Sequence, residues 1–207
     1  MVESPEVMPI QHPLIFVWPE ALVFWTVLFW VYLMEGRQIQ RRRAVSGGYE
    51  GSDKYSGLFI SIGSSLLQLG AVALAYYQPA SMGEENLRTV FYVGIVITLS
   101  GTFLRMHCWK MLGEFFTHTV TIASNHQVIN IGAYRFLRHP AYLGGWLNLI
   151  GLGLIMGNFA SLALISIGGF FLFHYRITVE EQALQSALGE QYTRFMQTRK
   201  RLIPFVY

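Results

Sequence analysis

The chain alternates long apolar runs with short clusters of charged residues, a pattern typical of an integral membrane protein. A helix that crosses a hydrocarbon core about 30 Å thick needs roughly 20 apolar residues. Three runs meet this requirement: Leu14–Met34, Gly57–Tyr77, and Leu87 to about Leu104. The first is weakened at its start by Pro19 and Glu20. Each run predicts one transmembrane helix.

A fourth apolar region, Ala141–Tyr175, is too long for a single crossing and is interrupted near its middle by Gly157 and Asn158. Because glycine and asparagine favour turns, this region predicts a tight helical hairpin with two short membrane-crossing arms. The hairpin and the three earlier runs give about five crossings. The expected fold is all-α, with three spans in residues 1–104. Residues 105–207 are expected to contain a polar loop, then the hairpin and a C-terminal helix and tail.

Basic residues predict the orientation, because Lys and Arg in short loops remain on the cytoplasmic side. Clusters of them follow the first run, the third run and the hairpin: Arg37, Arg41, Arg42, Arg43 and Lys54; Lys110, Arg135 and Arg138; Arg176, Arg194, Arg199, Lys200 and Arg201. An odd number of crossings precedes each cluster, so all three share one side. Only Arg88 falls in the opposite loop, beside Glu84 and Glu85. The N-terminus is therefore expected outside and the C-terminus in the cytoplasm.

The composition agrees with this class, since 53% of the 207 residues are hydrophobic and only 13% are charged. The net charge of +3 comes mostly from the clusters that set the topology, so no nucleic acid partner is expected. The first residues carry Glu3 and Glu6 without Lys or Arg, so no cleaved signal peptide is expected. The single cysteine, Cys108, cannot form an internal disulfide and is expected to be a small buried apolar residue.

Residues 105–142 form a segment too polar to cross the membrane and too rich in apolar residues to be a free linker. It holds four of the six histidines, namely His107, His118, His126 and His139. We expect it to fold against the membrane face of the helices. The segment leads into the sequence RHPAYLGG, where Pro140 suits the first turn of a helix because its missing N–H has no partner to lose.

This predicted helix start places Arg138 and His139 at the cytoplasmic boundary. Unpaired backbone N–H groups at a helix N-terminus favour an anionic ligand, so the position is a candidate binding site. Composition alone explains the same residues equally well as an interfacial anchor formed by Arg138 and Tyr142.

A second polar element follows the hairpin, in HYRITVEEQALQSALGEQYTRF. Arg176 and Glu180 are four residues apart and share one helix face, which Leu184 continues. An exposed ion pair at this spacing contributes only about 0.3 to 0.5 kcal/mol and could be a simple surface feature. Arg176, however, comes directly off the last membrane helix, where a charge is costly unless it is paired or functional.

HQVINIGAYRFLRHPAYLGG, the hairpin, and RITVEEQALQSALGEQYTRFMQTRKRLIPF together resemble the isoprenylcysteine carboxyl methyltransferase family and its bacterial and archaeal relatives. The likeness runs from about Phe116 to Phe205. Its elements, among them Arg-His-Pro-x-Tyr and Arg-x-x-x-Glu-Glu-x-x-Leu, are specific in combination and weak singly. The first two predicted spans show nothing characteristic of this family.

The resemblance implies a methyltransferase that uses S-adenosyl-L-methionine and releases S-adenosyl-L-homocysteine. Arg176 matches the arginine that family members place toward the methyl acceptor. Thr121 stands where the eukaryotic members have glutamine, and the loop from there to His126 is shorter. The positions that match cofactor contacts are Thr121, His126, Gln127, Val128, Ile129, Tyr134, His139, Pro140, Ala141, Tyr142 and Glu180.

The implied acceptor is lipophilic and reached from the membrane lipid, most specifically the carboxylate of an isoprenylcysteine-like or prenylated substrate. A carboxylate is already ionised at neutral pH, so it needs no strong general base. The protein would mainly position the reactants. The amine of a phospholipid and a thiol stay open as alternative acceptors, because phospholipid methyltransferases share parts of the motif. No G-x-G-x-x-G loop is present, which excludes the usual Rossmann methyltransferase design.

Other classes of protein also fit parts of the sequence. A non-catalytic membrane scaffold could retain the same fold, and Gly153 and Gly157 could then serve helix contacts, for which packing within the chain is favoured over packing between chains. A di-iron site would need more closely spaced histidines. A zinc site built from the four residues His107, Cys108, His118 and His126 has no tight ligand pair, so no metal is expected.

Overall fold

The computed structural model describes residues 12–45, 55–77, 82–113, 128–204 and 206–207. Within these ranges the secondary structure is helical, and no strand occurs apart from an isolated bridge between Leu137 and Lys200. The all-α prediction is confirmed. The helices are α1 (Glu20–Val45), α2 (Ser56–Tyr77), α3 (Leu87–Leu112), α4 (Pro140–Ile155), α5 (Phe159–Leu188) and α6 (Glu190–Thr198), with 3-10 turns at Leu14–Phe16, Glu84–Asn86 and Gly132–Arg135.

Among the described residues, three helices are long and apolar enough to cross a membrane: α2, α3 together with its leading turn, and α5. Helix α4 is apolar but has only 16 residues, in line with the short arm predicted for the hairpin. Helix α2 exposes large apolar side chains, among them Leu58, Phe59 and Leu66, which suits a lipid environment. The chain is an integral membrane protein, as predicted.

The first apolar run differs from the predicted continuous span. Leu14–Phe16 forms a 3-10 turn, and helix α1 begins only at Glu20, directly after Pro19. Proline lacks the N–H that an interior helical position would use, so a helix starts after it more readily than it passes through it. The apolar part of α1 is therefore shorter than the sequence suggested, and its second half is polar.

Two helices continue beyond their predicted ends. Helix α3 runs past Leu104 to Leu112, and α5 runs past Tyr175 to Leu188. The proposed division of the chain at residue 104 falls inside α3 and stays a prediction. These extensions carry the polar residues of the candidate site on rigid helical backbone.

Helices α3 and α4 approach each other closely along paired glycines. A Cβ atom on Gly94 would lie 2.6 Å from the carbonyl oxygen of Gly151, and one on Gly101 would lie 2.5 Å from that of Gly144. Larger residues at these positions would push the backbones apart. The glycines therefore fix the antiparallel pairing of α3 with α4.

The hairpin turn lies where the sequence predicted it. Gly157 has a positive φ of 63°, and the Asn158 side chain caps α5 by accepting from the backbone N–H of Ser161 at 2.9 Å. Gly153 packs within the chain, as expected, since a Cβ there would lie 2.9 Å from the Cα of Leu162. Gly157 instead forms the turn and is not part of a helix face.

The hairpin turn lies at one end of the helical bundle. The carbonyl of Gly157 accepts from the N–H of Met82, just before α3 begins. At the other end α3 finishes, α4 starts, and α5 carries its charged residues. The candidate site is at this second end.

Candidate active site

Helix α4 starts at Pro140, as the sequence predicted, and His139 is its N-cap residue. The backbone N–H groups of Tyr142 and Leu143 both bond to the carbonyl of His139, at 3.1 and 3.2 Å. The His139 side chain makes no capping bond. It is 4% exposed, so the imidazole points into the protein interior and not into solvent.

Tyr142 of α4 bridges the two α5 residues that the sequence placed on one face. Its hydroxyl donates to Glu180 Oε2 at 2.5 Å and accepts from Arg176 Nε at 3.1 Å. Arg176 is 3% exposed, so it is not an exposed surface residue with a solvated ion pair. The three side chains form one connected polar group, the Tyr142 bridge, between α4 and α5.

Aromatic rings flank this bridge. The rings of His139 and Tyr142 stack with centroids 5.7 Å apart and an interplanar angle of 28°. Phe173 of α5 also contacts the Tyr142 ring, with the two centroids 5.7 Å apart. His139 Nδ1 is 4.0 Å from Glu180 Oε1. The site therefore places the partly exposed carboxylate of Glu180 beside a group of aromatic side chains.

Glu181 is a buried anchor that the sequence reasoning did not assign. Its Oε1 accepts from Arg138 Nε at 2.7 Å and lies 3.2 Å from His139 Nε2, and its Oε2 accepts from Arg201 Nε at 2.8 Å. The adjacent Glu-Glu pair in the motif was the available signal. Glu180 points toward Tyr142, and Glu181 points toward the C-terminal tail.

The C-terminal tail joins this site through the backbone. The N–H of Arg138 bonds to the carbonyl of Lys200 at 2.9 Å, and that of His139 to the carbonyl of Arg201 at 3.0 Å. Arg138 Nη1 also donates to the carbonyl of Met196 at 2.8 Å. The segment before α4 is thus fixed between α5 and the tail.

Tyr134 lies in the 3-10 turn before α4 and is 6% exposed. It belongs to a buried apolar cluster with Cys108 and Ala141, against which Ile129 packs. Burial, reinforced by the neighbouring Cys108 and Glu180, raises the pKa of Tyr134 well above its ordinary value. Its phenol therefore stays neutral. Cys108 is buried, as predicted.

The structure brings most of the predicted cofactor residues to one end of the bundle. His139, Pro140, Ala141 and Tyr142 form the start of α4, next to Glu180. Val128 is half-buried in the loop that leads toward Tyr134. Thr121, His126 and Gln127 lie outside the described residues, so their predicted contacts are left as predictions.

The segment that holds the candidate site resembles a known protein family. Residues 93–186 match the model of the isoprenylcysteine carboxyl methyltransferase (ICMT) family. The match contains α4, most of α5 and the Tyr142 bridge. The resemblance predicted from the sequence is confirmed.

Particular relatives give the same result. A protein-S-isoprenylcysteine O-methyltransferase from Schizosaccharomyces pombe is 32% identical over 108 residues, or 51% of this chain and 46% of that protein. A probable protein-S-isoprenylcysteine O-methyltransferase from Oryza sativa subsp. japonica is 30% identical over 119 residues, or 56% of this chain and 62% of that protein. The chain spans about half the length of the first of these relatives.

A solved structure shares the fold. The eukaryotic intramembrane Ras methyltransferase ICMT superposes with a TM-score of 0.56 and 26% sequence identity, over 72% of this chain and 52% of that one. The shared fold thus reaches beyond the family-matched segment.

Proposed function

We propose that the chain transfers a methyl group from S-adenosyl-L-methionine to a lipophilic acceptor in the membrane, releasing S-adenosyl-L-homocysteine. The carboxylate of an isoprenylcysteine-like or prenylated substrate is the proposed acceptor. The observation that carries this proposal is the Tyr142 bridge, which joins the buried Arg176 to Glu180 and lies inside the family-matched segment at the end of the transmembrane helices.

The residues present suit the proposed cofactor. Glu180 is 29% exposed, and its carboxylate can accept from the ammonium group of a methionyl moiety. The ring of Tyr142, which is only partly buried, can pack against the adenine or the ribose. Tyr134 stays neutral and adds a buried aromatic ring nearby. When bound, S-adenosyl-L-methionine would supply a methyl group on a positively charged sulfur.

Arg176 is the proposed residue for orienting the acceptor. A guanidinium presents a planar fork that matches a carboxylate, and the bond from its Nε to Tyr142 fixes the plane of that fork. An acceptor carboxylate is ionised at neutral pH and attacks without losing a proton. The site therefore needs positioning more than general-base catalysis, and it offers a positioning arginine.

The test is methyl transfer by the purified protein in lipid nanodiscs, with tritiated S-adenosyl-L-methionine and three probes. These are N-acetyl-S-farnesylcysteine, phosphatidylethanolamine and a long-chain thiol. We expect label in the prenylcysteine, as a methyl ester that base releases as volatile methanol. Label in the amine or thiol instead would contradict the proposed acceptor. No label in any probe, with no binding of S-adenosyl-L-homocysteine, would indicate a non-catalytic scaffold.

A further inference from the structure

We infer that Glu35 and Arg105 are positioning residues that hold the start of α4 in place for the cofactor. The inference rests on the proposed function for the identity of that cofactor. Glu35 belongs to α1, which lies outside the family-matched residues 93–186. Helix α1 would then contribute to the site indirectly, through Arg105.

All three guanidinium nitrogens of Arg105 are engaged. Nε and Nη2 donate to the two carboxylate oxygens of Glu35, at 2.6 and 2.9 Å. Nη1 donates to the backbone carbonyl of Ala141 at 3.2 Å. Because a guanidinium is planar and rigid, the paired bonds to Glu35 set the direction in which Nη1 points. The carboxylate on α1 therefore determines where the Ala141 carbonyl is held.

A contact at Ala141 can affect both aromatic residues of the candidate site. Ala141 lies between His139 and Tyr142, the stacked pair of the candidate site. A shift of its carbonyl would move both rings together with the first turn of α4. The Arg105 contact is thus a direct support for the geometry of the Tyr142 bridge.

The packing of Arg105 against α4 supports the same inference. A Cβ atom on Gly144 would lie 2.7 Å from Arg105 Cγ, and one on Gly145 would lie 2.8 Å from Arg105 Nη1. The arginine side chain therefore lies flat across the first turns of α4, in space that these two glycines leave open. A side chain held this closely transmits its position to the helix.

A second ion pair joins the same two helices at the opposite end. Arg88 Nε of α3 lies 3.0 Å from Glu20 Oε1 of α1, near the hairpin turn and away from the candidate site. Glu20→Gln therefore provides a matched control for Glu35→Gln. Both substitutions remove a charge that links α1 to α3, but only Glu35 acts on the start of α4.

The experiment measures S-adenosyl-L-homocysteine binding by calorimetry for the purified parent, Glu35→Gln, Arg105→Lys and Glu20→Gln. We expect the dissociation constant to rise about tenfold for Glu35→Gln and Arg105→Lys, as for the loss of one hydrogen bond. Glu20→Gln should bind like the parent. The KM of the acceptor should stay unchanged in all four proteins. Combining Glu35→Gln with Arg105→Lys should add little, because both act through one contact.

Hydrogen exchange of the cofactor-free proteins gives a readout independent of catalysis. Backbone amides in residues 139–145 should exchange faster in Glu35→Gln and Arg105→Lys than in the parent. Their exchange rates in Glu20→Gln should equal those of the parent. If the parent binds the cofactor product and Glu35→Gln matches Glu20→Gln in both assays, the positioning role is wrong and the proposed function stands. If the parent does not bind it, the proposed function fails and the cofactor role of Glu35 and Arg105 fails with it.

Discussion

Tyr142 connects the two charged side chains that the sequence spacing places on one face of α5. The spacing of Arg176 and Glu180 predicts that they are neighbours on a helix, but it gives no indication that a hydroxyl joins them. That hydroxyl comes from α4, 34 residues before Arg176. Only the antiparallel packing of the hairpin brings the three groups together.

Tyr142→Phe tests the hydroxyl separately from the ring. Hydrogen bonds to charged groups contribute about 1.5 to 3 kcal/mol, so its loss should lower turnover at saturating cofactor about tenfold to a hundredfold. The ring stack on His139 stays in place, but the loss of the bonds to Arg176 and Glu180 should also lower the unfolding temperature measurably. Label-transfer assays at saturating cofactor measure the effect. The exposed Tyr175→Phe is the control, and equal turnover in the two variants would remove the hydroxyl from the site.

Glu180 and Glu181 are adjacent but have different predicted roles. Glu181→Gln removes the counter-charge of Arg138 and Arg201, and breaking a buried pair typically costs about 3 to 5 kcal/mol of folding stability. Glu180→Gln should leave stability nearly intact and weaken S-adenosyl-L-homocysteine binding by about 2 to 5 kcal/mol.

Two measurements on the variants separate these roles. Thermal unfolding measures the stability of each glutamine variant, and calorimetry measures its affinity for S-adenosyl-L-homocysteine. The reverse outcome, with Glu180→Gln unstable and Glu181→Gln deficient only in binding, would exchange the assignments.

At the level of the helices, the sequence predicted some boundaries well. Pro140 marks the start of α4 because proline fixes φ, and Gly157 with Asn158 marks the turn because glycine tolerates the positive φ found there. The length of α3 was not predictable in this way. Its polar extension contains Arg105, whose bidentate partner Glu35 is 70 residues earlier in the chain. A span predicted from hydropathy ends at a charged residue such as Arg105. The helix continues because Glu35 neutralises that charge.

The same limit applies to Glu181. Its partners come from before α4 and from the C-terminal tail, so the motif could suggest an important glutamate without showing that it is a buried anchor. The sequence also did not assign a packing role to the glycines of α3. The role of Gly94 and Gly101 depends on the close approach of α4, which only the structure shows.

The close α3 to α4 contact predicts a large difference between two Gly→Ala substitutions. A Cβ on Gly101 would lie 2.5 Å from the Gly144 carbonyl oxygen, whereas one on Gly36 of α1 meets nothing within 4 Å. Gly101→Ala should therefore destabilise the protein by about 1 to 3 kcal/mol. Gly36→Ala should be neutral or stabilise by up to about 1 kcal/mol. Thermal unfolding in detergent measures both, and equal behaviour would contradict the close helix contact.

For the whole molecule, charge differs between the two ends. Exposed cations such as Arg135, Arg194 and Lys200 are at the end that holds the candidate site, whereas Glu84 and Glu85 lie at the hairpin-turn end. Because Lys and Arg favour the cytoplasmic side, we propose that the site faces the cytoplasm. A cofactor made in the cytoplasm would reach such a site directly.

Cysteine labelling of intact cells tests this orientation. The parent has one cysteine, Cys108, which is buried and should not react. An impermeant maleimide should label Glu84→Cys and leave Arg194→Cys unlabelled until the cells are opened. Labelling of Arg194→Cys in intact cells, without labelling of Glu84→Cys, would reverse the proposed topology.

We propose that Arg176 orients the methyl acceptor at the Tyr142 bridge, and Arg176→Lys is the sharpest test of this role. A lysine keeps the positive charge but not the planar fork that fixes orientation. Cofactor binding and turnover should therefore respond differently to this substitution. S-Adenosyl-L-homocysteine affinity should stay close to that of the parent, while methyl transfer to the prenylcysteine at saturating cofactor should fall at least about tenfold, with a further loss in Arg176→Ala. Parent-like transfer by Arg176→Ala would show that Arg176 does not orient the acceptor, because an arginine with that role cannot be removed without loss of rate.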